Sequence, residues 1–197
     1  QTCALPIYIH KRIEFAKEIS WQARTEEYYK EIEIMHPLVS IIILTYNQID
    51  FTMKCLDSVF NNTTYPNFEV ILVDNCSVDG TREYLMNVES QYNNVKLILN
   101  DKNYGFAQGN NIGINESVGD YIVLLNNDTI LTYGWLNRML NHFKDPLLGM
   151  ICPVTNSIGN EAKINVTYED EAGIETFAYE YTQSNIKRSY DEIDVLA

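Results

Sequence analysis

Four clusters of amides, hydroxyls and carboxylates each stand directly after an apolar run. They are Thr45-Tyr46-Asn47 after residues 39–44, Asp74-Asn75 after 68–73, Asn100-Asp101-Lys102-Asn103 after 95–99, and Asn126-Asn127-Asp128 after 121–125. Oxygen-bearing side chains of this kind suit a ribose, a base edge, phosphate oxygens or a hard divalent cation. The last cluster is the most specific. The run YIVLL is too short to span a membrane and reads as a strand buried on both faces. It delivers two amides and one carboxylate at its carboxyl end, and in open α/β sheets ligands sit outside those ends. An Asn/Asp turn would account for any one cluster alone. Four in series point to a site.

The elements that must position these clusters alternate in type. Strands are predicted over 39–44, 68–73, 95–99, 121–125 and 148–154. Helices are predicted over 50–62 with Asp50 as N-cap, 81–88 opened by the Asp79-Gly80 turn, 106–118, and 134–143 stopped near Asp145-Pro146. Continuous apolar strands alternating with helices mark an α/β fold, a mostly parallel sheet flanked by helices. Right-handed crossovers then place every carboxyl end on one edge of the sheet. The glycines of Gly105-Phe106-Ala107-Gln108-Gly109-Asn110-Asn111-Ile112-Gly113 recur every four residues. They suit a smooth helix face packed tightly on the sheet, and the start of that helix offers N–H groups to phosphate or ribose oxygens.

Composition narrows the classes. At 197 residues with 46% hydrophobic content, the chain suits one globular domain with an extra segment. A net charge of −13 disfavours nucleic acid and anionic membrane surfaces as partners, while leaving room for a small anion held by backbone amides and a metal. No run approaches the roughly 20 apolar residues of a spanning helix, so no transmembrane segment is expected. Cys3, Cys55, Cys76 and Cys152 form no CxxC pair, and they read as reduced, cytoplasmic thiols. Cys55 and Cys152, in apolar surroundings, are expected in the core.

The ends read differently from the middle. QTCALPI at 1–7 matches a translated sequencing-adapter string and is set aside from fold reasoning, which puts the true N-terminus upstream and removes Cys3. Residues 8–37 form a helical connector, with Ile9, Ile13, Phe15, Ala16, Ile19, Ala23 and Tyr28 near a 3.6-residue period and His36-Pro37 ending it. The alternative is an intrinsic part of the catalytic domain. Another helix is expected within 168–197.

No G-x-G-x-x-G follows the first strand and no GxxxxGK[ST] occurs, which disfavours a dinucleotide enzyme and a P-loop. The blocks VSIIILTYN, ILVDNCSVDGT, LNDKNYGFAQGNNIGI and GDYIVLLNNDTI, in this order and spacing, resemble the family 2 glycosyltransferases of GT-A fold. The likeness is greatest to the bacterial surface-polysaccharide, rhamnosyltransferase-like branch. It covers about 38–154, and even Pro153-Val154-Thr155-Asn156 is similar to segments of large multi-domain members.

That resemblance implies a nucleotide-sugar-binding domain over 38–156 and the incomplete start of an acceptor-side region over 157–197. It implies that Thr45, Tyr46 and Asn47 line the base pocket, that Asp74 and Asn75 reach the base or ribose, and that Asn103, Gly105, Asn110 and Asn111 edge the ribose and diphosphate. Asn126, Asn127 and Asp128 align with the family's D-x-D metal motif. Asn75 and Asn126 stand where carboxylates are commoner. An amide both donates and accepts, so base preference is open, and Asp128 is left as the one metal carboxylate for Mg²⁺ or Mn²⁺ bound together with the donor's phosphates. The implied partners are an NDP-sugar donor and a glycan or lipid-linked acceptor, with further domains on the same polypeptide, in the cytoplasm or at the inner face of the cell membrane.

The implied reaction is inverting transfer to an acceptor hydroxyl, with a carboxylate as general base. That base is expected beyond Ala197, so the fragment is expected to bind donor but transfer sugar poorly. Glu169-Asp170-Glu171 is better explained as charge at a helix N-terminus, and Asp191-Glu192-Asp194 has no strand before it. Two rivals stand. A sugar-1-phosphate nucleotidyltransferase would want a Gly-rich basic loop where Thr45-Tyr46-Asn47-Gln48 stands, and a non-catalytic nucleotide-binding module is permitted by the softened Asn75 and Asn126.

Overall fold

The computed structural model describes residues 36–157, 159 and 162–185, with Arg24 and Thr25; the adapter-like segment, nearly all of the connector helix and the Asp191–Glu192–Asp194 cluster lie outside these. The chain divides into two units, one of residues 1–52 and 66–127, the other of 53–65 and 128–197.

The first unit is an α/β sheet. Strands β1 (Val39–Thr45), β2 (Phe68–Asp74), β3 (Val95–Leu99) and β4 (Tyr121–Asn126) are all parallel, in the order β3-β2-β1-β4. Helix α1 (Ile49–Asn62) begins in this unit, and α2 (Thr81–Gln91) and α3 (Gly105–Asn115) lie wholly within it. The register brings the strand ends level: Thr45 sits opposite Asp74, Asp74 opposite Leu99, and Leu44 opposite Asn126. Ile41, Ile42, Ile43, Val70, Ile71, Leu72 and Val73 are fully buried, as continuous β-branched and leucine runs in central parallel strands must be.

Helix α3 seats against β1 and β2 through its glycines. A Cβ on Gly109 would lie 2.5 Å from Leu44 Cδ1, and one on Gly113 would lie 2.5 Å from Ile42 Cγ2. The sheet face of this helix is therefore smooth because it has to be, as the four-residue glycine spacing predicts.

Strand β4 departs from expectation. Among the described residues it is an edge strand, paired with β1 alone, and its side chains alternate in exposure. Ile122 is 46% and Leu124 52% exposed, while Leu125 is buried. The face that carries Ile122 and Leu124 lies beyond the reach of α3, whose glycines sit over β1 and β2. An apolar run marks a strand but not how many neighbours cover it.

In the second unit, α1 continues to Asn62 and is followed in sequence by α4 (Trp135–His142), a 3₁₀ turn (Glu171–Gly173) and α5 (Ile174–Asn185). Ser58 Oγ accepts the Leu131 N–H at 3.0 Å, Trp135 Nε1 donates to Thr63 Oγ1 at 3.0 Å, and the Glu175 carboxylate accepts the Tyr133 N–H at 3.0 Å. The fifth strand predicted at 148–154 does not form. Only an isolated bridge, Thr155 to Lys163, is present there. Pro153 has no N–H to give a ladder, and Met150 and Val154 are exposed. Cys152 is exposed as well, contrary to expectation, whereas Cys55 is buried.

Candidate functional site

The β1–α1 connection is built from backbone that few side chains tolerate. Asn47 and Gln48 both hold left-handed conformations, with φ of 57° and 63°, as does Cys76 after β2 with φ of 66°. Such residues cost about 1 kcal/mol or more each and persist only where the surroundings determine them. The determinants here are visible. Asn47 donates its N–H to Ser77 Oγ at 2.7 Å, and its Oδ1 accepts the Val78 N–H at 2.8 Å. Tyr46, next to this turn, is half exposed. Asn47, Gln48, Ile49, Asp50, Phe51, Val78 and Asp79 line an open cleft of about 390 Å³.

Beneath it lies Asp74, fully buried at 0% exposure. Its oxygens accept the Ser77 N–H at 3.1 and 3.3 Å and the Thr45 hydroxyl at 3.4 Å, and Arg82 Nε lies 3.3 Å from Oδ2. Asn75 is also buried. Its Oδ1 accepts from Asn100 Nδ2 at 2.8 Å, and its Nδ2 donates to Gly105 O at 3.2 Å. Asn103 Oδ1 in turn accepts the Gly105 N–H at 2.8 Å, ordering the entry to α3. Three strand ends and one helix start thus share one hydrogen-bonded network.

Asp79 caps two helices at once. Its Oδ2 accepts the Ile49 N–H of α1 at 3.1 Å, and its Oδ1 accepts both the Thr81 N–H and hydroxyl at the start of α2, at 3.1 and 2.6 Å. Asp50, the predicted N-cap, instead lies within the first turn of α1. The Thr81 hydroxyl first, and then the amides of Thr81 and Ile49, hold the Asp79 carboxyl below its ordinary value of 3.8. A carboxyl depressed in the folded state stabilises fully above its unfolded pKa, and that contribution is lost as pH falls through the folded value. Asp79→Ala should therefore cost about 0.5–1 kcal/mol at pH 7, the group being exposed. In denaturant melts the difference from wild type should shrink as the pH is taken below 3.8.

With this geometry in hand, comparison with known proteins is decisive. The Glycosyl transferase family 2 signature matches residues 40–193. The chain belongs to that family. It is similar to glycosyltransferase AglE of Haloferax volcanii, 36% identical over 104 residues, which are 52% of this chain and 34% of AglE. It is similar also to glycosyltransferase GlyG of Streptococcus pneumoniae, 32% identical over 111 residues, 56% of this chain and 36% of GlyG. Among solved structures, the mannosyltransferase PcManGT from Pyrobaculum calidifontis, in complex with GDP-Man and Mn²⁺, shares 26% identity with a TM-score of 0.44. That match covers 47% of this chain and 28% of PcManGT. The matched stretch spans about a third of the length of each curated relative. The parallel α/β sheet agrees with the GT-A architecture that family membership implies.

Within this family 2 domain the predicted site residues sort into two layers. Thr45, Asp74, Asn75 and Asn110 are buried, the last donating from Nδ2 to Phe106 O at 2.9 Å. Tyr46, Asn103, Gly105, Asn111 and Asn126 are exposed, with Asn47 and Asn127 half-buried. Asn127 Nδ2 donates to Thr52 Oγ1 at 3.0 Å, which leaves its carbonyl oxygen to face other groups. Asp128 follows Asn127 directly in the chain, is exposed, and belongs to the second unit.

Within that second unit, Asp128 raises the pKa of Cys55. The thiol is pushed up to about 12, chiefly by burial and further by the Asp128 charge, against the Thr129 N–H. Cys55 is therefore a neutral thiol and no nucleophile. Among the described residues no group of three or more His, Cys, Asp or Glu side chains could hold a metal by itself. Also among them, no helix is long and apolar enough to cross a membrane. Of the acidic clusters, Glu171 pairs with Lys54.

Sequence reasoning gives no role of their own to Ser77, Asp79, Arg82 and Lys102, though it places Asp79 in a turn and Lys102 in the cluster after β3. The Lys102 ammonium lies 4.9 Å over the Tyr104 ring, and the Tyr104 hydroxyl donates to Asp101 Oδ1 at 2.9 Å, which raises that phenol's pKa. The available signal is position for Ser77, Asp79 and Lys102, three to five residues after a strand end, whereas Arg82 lies eight residues after Asp74 and inside a helix.

Proposed function

We propose that this domain binds a nucleoside-diphosphate-sugar at the carboxyl edge of its sheet and serves inverting sugar transfer to an acceptor hydroxyl, in the synthesis of a bacterial cell-surface glycan. The observation that carries the reading is the alignment of three strand ends under one hydrogen-bonded network, below an exposed Tyr46 and a left-handed Asn47, in a chain of family 2. Tyr46 offers a stacking face for the base. Asn47, Asn103, Gly105 and Asn111 take the ribose and diphosphate, while Thr45, Asp74, Asn75 and Asn110 form the floor that holds them. Asn126 and Asn127 edge the sugar-phosphate.

A divalent ion, Mg²⁺ or Mn²⁺, fits the donor set on one condition. One exposed carboxylate, Asp128, is too little for a site made of protein alone, but such ions commonly take one or two carboxylates plus substrate phosphates. When bound, the ion neutralises charge on the departing nucleoside diphosphate. A nucleotide-sugar donor and reduced thiols suit the cytoplasm or the inner face of the cell membrane, with a glycan or lipid-linked acceptor.

Calorimetric titration with UDP, GDP and dTDP, with and without Mn²⁺, tests the reading. At least one nucleotide should bind, and more tightly with the metal. No binding by any of them under either condition would sink it. Asn75 and Asn126, standing where carboxylates are commoner, favour a second reading, a nucleotide-binding module without catalysis. Metal-independent nucleotide binding would support that one.

A further inference from the structure

Asp74 is the one buried acidic side chain among the described residues. A carboxylate removed from water needs a compensating charge and full hydrogen bonding. Arg82, in the first turn of α2, supplies the charge. Its Nε lies 3.3 Å from Asp74 Oδ2, and its Nη2 donates to the backbone oxygen of Asn100 at 2.8 Å. One planar guanidinium therefore spans the ends of β2 and β3. Nε is shielded from solvent and makes no aligned hydrogen bond, so it holds Asp74 by charge while Nη2 makes the directed contact. The side chain as a whole is 30% exposed.

From this pair the contacts run outward in two directions. Toward β1, Asp74 takes the Ser77 N–H, Ser77 Oγ takes the Asn47 N–H, and Asn47 keeps its left-handed backbone. Toward α3, Asn100 donates to Asn75, and Asn75 donates to Gly105 O. We infer that Asp74 and Arg82 are positioning residues: their ion pair sets the Tyr46-Asn47 turn and the entry to α3, and Asp74 itself makes no contact with the donor. The inference deepens the donor-site reading and rests on it for any effect on affinity, though not for the effect on the loops. Lysine could not replace the arginine, because an ammonium is a point charge and cannot serve two loops with a planar fork.

Two measurements on the whole chain test it: calorimetry with UDP, GDP and dTDP in Mn²⁺, and amide hydrogen exchange. In Arg82→Gln, every nucleotide that binds wild type should weaken by a common factor of about tenfold, with the ratios between bases kept. Exchange at the Asn47, Ser77 and Asn100 amides should quicken by about tenfold or more, while Ile42 and Ile71 in the sheet centre hold their protection. Arg82→Lys, which keeps the charge should Arg82→Gln fold poorly, should recover protection at Ser77 but not the Asn100 side of the network. Unchanged exchange at Asn47 and Ser77 in Arg82→Gln would overturn the inference. So would a changed ratio between bases in Asp74→Asn with loop protection intact, the mark of a direct contact. If wild type binds none of the nucleotides, the donor-site reading fails, and hydrogen exchange alone still decides the positioning claim.

Discussion

Asp128→Asn is expected to make nucleotide binding indifferent to Mn²⁺. In wild type the ion should tighten UDP, GDP or dTDP binding by roughly tenfold to a hundredfold, about 1.4–2.8 kcal/mol. The variant should bind with the affinity that wild type shows in chelator. The reasoning is one of ligand count. Among the described residues no cluster of three acidic, His or Cys side chains exists, and on the proposed reading the donor's phosphates and water supply most of the remaining oxygens. Mn²⁺ titrated alone should accordingly give no saturable binding in the micromolar range. The substitution is nearly isosteric at an exposed position, so folded stability should change by less than about 0.5 kcal/mol. Mn²⁺ stimulation that survives in Asp128→Asn would remove this carboxylate from the proposed ligands.

Gly113→Ala should carry the largest stability effect of any single methyl group added to the sheet face of α3. The new Cβ would sit 2.5 Å from Ile42 Cγ2 and 3.1 Å from Val73 Cγ2. Both residues are fully buried, in a cluster with Ile71 that Leu44, Ile98, Ile112 and Ile114 pack against. Ile42 and Val73 are β-branched and stiff at χ1, so the neighbours cannot swing aside and the helix must lift. Over-packing costs about 1–3 kcal/mol, against a gain of about 1 kcal/mol from helix propensity. A net loss of up to about 2 kcal/mol should appear as a lower urea midpoint at unchanged slope. Gly109→Ala meets the flexible end of Leu44 at 2.5 Å and should cost less. Gly149→Ala, with nothing within 4 Å, is the control and should stay within about 0.5 kcal/mol of wild type. A raised midpoint in Gly113→Ala would contradict the described seating of α3 on β1 and β2.

Much of this was legible without coordinates. Runs such as VSIIIL and FEVILV bury themselves whatever the detail, and their alternation with amphipathic helices dictates a parallel sheet. The polar clusters at four strand ends lie level with one another because parallel strands and crossovers leave them no other edge. What failed were predictions that depend on neighbours. YIVLL was expected to be covered on both faces, yet among the described residues β4 has one sheet neighbour and exposes Ile122 and Leu124. Residues 148–154 were expected to form a strand, yet among the described residues no partner strand pairs with them and Pro153 offers no donor.

The amino-acid order alone therefore determined four of the five expected strands, the helices, the sheet edge on which the polar clusters lie and the family to which the chain belongs. Periodicity and residue type are local properties, and these features follow from local properties. Only the tertiary structure decided which polar residues face outward and which lie beneath. Thr45, Asp74 and Asn75 look in the sequence like ligands equal to Tyr46 and Asn47. Once folded, they are buried: Thr45 donates to Val73 O and Asp74, Asp74 accepts from Ser77, and Asn75 bonds Asn100 and Gly105. A buried donor or acceptor must be satisfied by whatever lies within about 3 Å, and for Asp74 and Asn75 those partners lie 3 to 30 positions away in the chain.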